Sequence, residues 1–202
     1  MAAARHLFAA KGFDGVSLRE ITEAARANTA AVNYHFRSKE ELIRQVFEAG
    51  LKPIIAARMG ALDRCLAAAG GRTPALEAVA EALIRPLVEL SAGEHRDTMV
   101  MLMHVRATPP SITGDIVIEQ FRPVHDRFAD VLQRVLPDLS RAEIAFRYDC
   151  ARGAALQTLV DLAPAARLVS GLDGAVRPTD EVVVRRLLAF VVAGFRTPPV
   201  PG

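Results

Sequence analysis

The chain has 202 residues, 51% of them hydrophobic, with 25 Lys/Arg against 23 Asp/Glu. That length can bury a sizeable core as one or two domains, while the spread of charges leaves no apolar run near the roughly 18 residues of a membrane span. Met1-Ala2-Ala3-Ala4-Arg5 is not followed by the apolar stretch and small-residue cleavage site of a secretory leader, which points to a cytoplasmic protein outside the membrane. The net charge of +2 is mild; residues 1–52 carry eight Lys/Arg against six Asp/Glu, so the excess lies at the N-terminal end. Cys65 and Cys150 stand apart, without a CxxC or a Cys/His cluster. They fit reduced thiols buried as small hydrophobes better than a disulfide or a zinc site.

In chain order, Ala2 to Ala10 reads as a helix with Leu7 and Phe8 facing inward, closed by Gly12, with Phe13 able to pack back. Arg5, His6 and Lys11 form its polar side, either solvated or near phosphate. Ser17, with Glu20 three residues on, makes a capping box for a second helix, in which Leu18, Ile21, Ala24 and Ala25 recur at helical spacing. Arg26-Ala27-Asn28 breaks that period, and Asn28 can cap the next helix, Thr29 to Phe36. Val32 and Phe36 are its apolar side; Thr29, Asn33, Tyr34 and His35 are its hydrogen-bonding side. Ser38 and Glu41 form a second capping box, with Lys39 in the first turn of the helix they open. Short helix, tight turn and second helix with polar groups outward is the helix-turn-helix pattern, although two amphipathic helices in an ordinary core share it.

The helix from Glu40 runs to about Ala69, with Pro53 inside it and a kink or break expected near Ala49-Gly50. Thr73 is placed to cap a helix reaching about Leu90, and a further helix spans Asp97 to Ala107, stopped by Pro109-Pro110. From Ile116 to Leu136 an apolar stripe runs through Val117, Phe121, Val124, Phe128, Val131 and Val135, interrupted by Pro123. Ser140 caps Arg141 to Leu162, closed by Ala163-Pro164, and the small patch Gly153-Ala154-Ala155 permits close approach of another helix. Thr179 caps Asp180 to Phe195. No run alternates as a strand does. The fold class is all-α, with about nine helices: an N-terminal three-helix helix-turn-helix head, residues 1–48, and a helical ligand-binding and dimerisation bundle, residues 49–202.

The run Phe8, Lys11-Gly12-Phe13-Asp14-Gly15, Ser17-Leu18-Arg19-Glu20-Ile21, Val32-Asn33-Tyr34-His35-Phe36 and Ser38-Lys39-Glu40-Glu41-Leu42 closely resembles the N-terminal domain of the tetracycline-repressor-like (TetR/AcrR) regulators. The likeness is specific over Leu7 to Phe47 and architectural beyond. It implies that Thr29 to Phe36 is the recognition helix, with Tyr34, His35 and Lys39 against the DNA backbone. Three departures stand out. Met1 falls inside the first helix, where the family has about one further turn. Arg26 occupies a turn position that usually carries Gly, so the turn is expected to be reshaped or Arg26 to touch phosphate. Asn33 replaces the more usual Tyr and changes the base-reading set.

The DNA-contact candidates are therefore Ser17, Arg26, Asn28, Thr29, Asn33, Tyr34, His35 and Lys39. The Met99-Val100-Met101-Leu102-Met103-His104 run is either core filler or part of an adaptable ligand site. The resemblance implies an effector cavity among the middle helices, for which Met99, Met103, His104, Phe121, Val124, Phe128 and Cys150 are the lining candidates. The last two long helices carry Leu156, Leu159, Val160, Leu187, Phe190, Val191 and Phe195. These fit a large internal core or, as the family implies, a dimer interface. His125-Asp126 and Glu94-His95-Arg96-Asp97 lack metal-ligand spacing and read as surface charge; no metal and no cofactor is expected. With no phosphate loop and no nucleophile elbow, nothing favours an enzyme.

Together these features describe a ligand-responsive transcriptional regulator, a repressor in character. As the resemblance implies, it is expected to bind double-stranded operator DNA as a homodimer and to be released by a small lipophilic or anionic effector. The shortened first helix and Arg26 leave a second reading open, a helical small-molecule-binding or interaction protein that has lost DNA binding.

Overall fold

The computed structural model describes residues 1–28, 36, 38–91, 95–107, 112–161 and 179–199, with the side chains of 106, 107, 112–114, 117, 160 and 161 outside that description. Among the described residues there are eight helices and no strand: α1 (Ala2–Lys11), α2 (Leu18–Ala25), α3 (Lys39–Ala69), α4 (Leu76–Glu89), α5 (Arg96–Ala107), α6 (Ile112–Val135), α7 (Arg141–Asp161) and α8 (Asp180–Arg196). The all-α expectation holds. The segment Thr29 to His35, the Pro109-Pro110 stop and the Ala163-Pro164 stop lie outside the described residues.

The helices sort into two compact units, Met1–Pro53 with Ala92–Arg122, and Ile54–Ser91 with Pro123–Gly202. Both divisions along helices fall at an interior proline, Pro53 in α3 and Pro123 in α6. Of the kink or break expected near Ala49-Gly50, the break does not occur, since α3 is one helix of 31 residues. A proline removes one backbone hydrogen bond from a helix. Leu51 and Ile54, on either side of Pro53, are both buried. Pro86 stands inside α4 in the same way. Helix α6 begins at Ile112, one turn ahead of the expected Ile116.

In the first unit, α1 packs on α2 and on α5. Phe8, Phe13 and Phe47 form its aromatic centre, with ring centroids 5.5 Å apart for Phe8–Phe13 and 6.0 Å for Phe13–Phe47. Gly12, at φ 73°, turns the chain out of α1 and donates its N–H to the Phe8 carbonyl at 2.9 Å. That left-handed backbone suits glycine, and it brings Phe13 back over Phe8. Leu7 is only half-buried, while Val16 is buried.

In the second unit, α4 packs on α7 and α8, and α8 on α7. Arg85 of α4 donates to Glu81 at 2.8 Å and across to Glu181 of α8 at 2.9 Å; Glu181, followed by Glu81, raises the pKa of the guanidinium, and Arg85 lowers that of Glu181. Arg127 pairs with Asp63, and Arg196 with Glu77. Arg147, almost fully buried, donates to Glu143 at 2.7 Å and to the carbonyls of Gly194 and Phe195 at 3.1 and 2.8 Å. It thereby satisfies the free carbonyls at the end of α8, where positive charge also suits the helix dipole.

Several local expectations are corrected. Ser140 does cap α7, accepting from Glu143 N at 3.1 Å. Thr73 caps nothing: α4 starts at Leu76 behind an extended Ala75, which puts Thr73 beyond reach of the first-turn amides. Thr179 holds the N-cap position of α8 without a side-chain bond. A Cβ placed on Gly153 would meet nothing within 4 Å, so the Gly153-Ala154-Ala155 patch does not seat another helix of this chain at that residue. Cys65 is half-buried and Cys150 exposed, rather than buried as expected, and both are free thiols.

Candidate nucleic-acid interface

The capping box at Ser17 is complete. Its hydroxyl accepts from Glu20 N at 3.2 Å, and the Glu20 carboxylate accepts from Ser17 N at 2.9 Å. Lys11 of α1 donates to the same carboxylate at 2.8 Å, tying α1 to the start of α2. Lys11, followed by the Ser17 amide and hydroxyl, holds the Glu20 carboxyl at about 2, below the usual carboxylate range. Only Ile21 and Thr22 of α2 are buried. Leu18 is half-buried, and Ala24 and Ala25 are exposed, so the inward stripe is narrower than the periodicity suggests.

Helix α2 ends as a Schellman-type stop: Ala27 N donates to the Thr22 carbonyl at 2.9 Å and Arg26 N to that of Glu23 at 3.1 Å. Arg26 itself lies at φ 50°, ψ 38°, and among the described residues it is the one non-glycine with positive φ. The turn is therefore not reshaped to suit arginine; arginine takes the left-handed conformation. That backbone costs a non-glycine residue roughly 1–2 kcal/mol, and here the two capping bonds maintain it. The side chain is exposed, as is that of Asn28.

At the far side of the turn, Ser38 accepts from Glu41 N at 3.2 Å and opens α3. The expected second capping box is half-formed, because the Ser38 N–H donates to the Phe36 carbonyl and the Glu41 carboxylate accepts instead from Gln45 at 2.7 Å. Lys39, in the first turn of α3, is half-buried. Two helices at fixed stations thus bracket the segment 29–35, and the contact candidates Thr29, Asn33, Tyr34 and His35 belong to that segment, outside the described residues. Ser17 is exposed, but its hydroxyl is taken by the cap.

This frame coincides with a sequence match: residues 1–46 fit the profile of bacterial regulatory proteins of the tetR family, and residues 81–194 fit the tetracyclin repressor-like C-terminal domain. The chain belongs to the TetR family. It is a TetR-family transcriptional regulator, with a helix-turn-helix DNA-binding domain and a C-terminal ligand-binding domain. Solved TetR-like structures share the fold. The TetR family transcriptional regulator PfmR from Thermus thermophilus is 21% identical, with 97% of this chain and 98% of that one covered and a TM-score of 0.64. The ketosteroid transcriptional regulator KstR2 of Mycobacterium tuberculosis is 19% identical over 95% and 90%, with a TM-score of 0.67. A TetR-family regulator from Bordetella parapertussis is 21% identical over 99% and 94%, with a TM-score of 0.64. No curated protein matches the chain.

The effector-lining candidates divide between the units of this TetR-family chain. Met99, Met103, His104 and Phe121 belong to the first, Met99 being buried and the others half-buried; Val124 and Phe128 are buried in the second. Cys150 is exposed. It lines a groove between α7 and α8 with Phe146, Arg147, Phe190, Val191 and Phe195.

Of the dimer candidates, Leu156, Leu159, Leu187, Val191 and Phe195 are already buried within their own unit, and the Val160 side chain lies outside the described residues. Their apolar area is spent on the internal core. What remains outward is Phe190, 67% exposed, and Phe146, 65% exposed, which the sequence reading missed. Phe146 lies on α7 one turn before Cys150, and its outward position would have been legible only from knowing which face of α7 the core takes. Among the described residues no group of three His, Cys, Asp or Glu could hold a metal ion, and no helix is long and apolar enough to cross a membrane.

Proposed function

We propose that this regulator is a repressor that binds a near-palindromic operator as a homodimer in the cytoplasm and is released by a small lipophilic or anionic effector. The observation that carries it is the frame around residues 29–35. A completed cap opens α2, a left-handed stop closes it, and Ser38 opens α3, all inside the matched stretch 1–46. Residues 1–48 would be the DNA-binding head, and 49–202 the effector and dimer part. The recognition segment Thr29 to Phe36 of each subunit enters a major groove, the two grooves about 34–36 Å apart. Thr29 and Asn33 read base edges, with Arg26 and Asn28 at the turn. Tyr34, His35 and Lys39 hold phosphates, and the N-termini near Ser17 and Ser38 favour the same negative charge.

The dimer forms through the outer faces of α7 and α8. Two large phenylalanines, Phe146 and Phe190, stand exposed there, beside glycines with open space around them. Effector contacts come from Val124 and Phe128 of α6, both buried in the second unit, while Cys150 is assigned to the outer groove. An effector releases DNA only through a difference in affinity between the two states; moving a population from 1:99 to 99:1 takes about 5.5 kcal/mol.

A gel-shift titration of the full-length protein against its own upstream DNA, at stated salt, tests the proposal. A saturable shift competed poorly by unrelated DNA supports it. Equal affinity for all sequences, or no shift, favours the reading in which DNA binding has been lost, for which the strained Arg26 turn is the motivating observation.

A further inference from the structure

Arg58, in the part of α3 that belongs to the second unit, has no exposed surface. Its Nη2 donates to the Tyr148 hydroxyl at 2.6 Å. Its guanidinium carbon lies 5.2 Å from the Phe128 ring centroid and 5.8 Å from that of Tyr148. Among the described residues its buried Nε has no hydrogen-bond partner, and the guanidinium has no acidic partner. Arg147, the other buried arginine among the described residues of the unit, shows what a satisfied one looks like, with a carboxylate and several carbonyls around it.

A guanidinium cannot shed its charge inside a protein, and a buried unpaired charge is costly. Two aromatic faces and one phenol return only part of the lost hydration. The phenol oxygen, in accepting from Arg58, keeps its own proton available to donate. One cation, an Nε–H without a partner among the described residues and a phenolic O–H lie together beside the Phe128 and Tyr148 rings, and such a set suits a single planar anion with an apolar body. A carboxylate matches the fork of the guanidinium and balances its one charge, whereas a phosphate dianion would leave charge over. The His125 ring meets Tyr148 edge-on at 4.8 Å and is partly exposed, so the cluster extends from the core toward the surface.

We propose that Arg58 and Tyr148 form the anion-binding end of the effector site, and that the effector is a monocarboxylate with an aliphatic or aromatic body. This deepens the effector reading above and rests on it.

The test uses the full-length protein in thermal-shift and calorimetric titrations with butyrate, octanoate, laurate and benzoate. Octanamide and benzamide serve as neutral counterparts, and inorganic phosphate as a competing anion. Carboxylates should bind and raise Tm, and the amides and phosphate should not. Arg58→Met should weaken carboxylate binding roughly tenfold or more, and its Tm without ligand should be equal to or above the wild type, because an unpaired buried charge has gone. Tyr148→Phe should weaken it severalfold, and this decides the matter if Arg58→Met does not fold. No response of the wild type to any of the four carboxylates overturns the proposal. So does a response to phosphate or the amides alone, or full carboxylate binding by Arg58→Met or, where that variant fails to fold, by Tyr148→Phe. The same preparations run in the DNA shift separate the two ideas. DNA binding with no carboxylate response removes this site only; carboxylate binding with no DNA shift removes the operator reading and leaves the site.

Discussion

Gly50 lies so close to Thr98 that a Cβ built on it would stand 2.5 Å from the threonine hydroxyl and 2.9 Å from its methyl. Thr98 is buried, and its hydroxyl has no hydrogen-bond partner among the described residues. Here α3 and α5 approach at van der Waals distance within the first unit. Gly50→Ala gains up to about 1 kcal/mol of helix propensity, but overpacking against a stiff, branched side chain costs about 1–3 kcal/mol. The overlap wins, and denaturant unfolding should show a net loss of up to about 2 kcal/mol. In a Thr98→Ala background most of that loss should vanish, leaving a coupling energy that a double-mutant cycle measures directly.

Arg26→Gly should raise stability by about 0.5–1 kcal/mol, the left-handed strain relieved less the extra entropy of glycine in the unfolded chain. If Arg26 holds a phosphate, the same variant binds operator more weakly with a shallower salt slope. A more stable protein with unaltered DNA affinity would make Arg26 a turn residue only.

The Glu20 carboxyl titrates at about 2 in the folded chain. A carboxyl with a lowered folded pKa contributes stability that is complete above its unfolded pKa and lost as pH falls through the folded one. The cap and its Lys11 tie should therefore weaken between about pH 4.5 and 2. Glu20→Gln should remove that part of the pH dependence, read by circular dichroism melts across the range; an unaltered profile assigns the acid sensitivity elsewhere.

Lys39→Ala should weaken binding to every sequence alike and reduce the salt slope by about one. Asn33→Ala should cost roughly 1–3 kcal/mol and relax discrimination at one position per half-site. A uniform loss over all base positions would move Asn33 to the backbone contacts.

Gly194 on α8, like Gly153 on α7, has nothing within 4 Å of a built Cβ. Gly194→Leu should leave the single chain folded, with up to about 1 kcal/mol gained in helix propensity. If the outer face of α7 and α8 is the dimer contact, sedimentation should show the variant monomeric. Phe146→Ser with Phe190→Ser should do the same by removing exposed apolar area, and a dimer surviving both changes would place the interface elsewhere.

What was legible in the chain itself was whatever acts within about one helical turn. The Ser17–Glu20 cap, the Gly12 stop and the Ser140 cap depend on residues three or four apart, and the periodic stripes marked the helices and the head for the same reason. Two local rules that failed, at Thr73 and at the Ala24-Ala25 stripe, failed because the helix start or its buried face was set by packing. Only the tertiary structure decided which glycine is pressed against a neighbour and which stands open, since Gly50 and Gly153 look alike in a helical pattern. It also brought Arg58 to Tyr148 across 90 positions of the chain. No periodicity encodes such a meeting, because it depends on which faces of α3 and α7 turn toward one another once apolar area is buried.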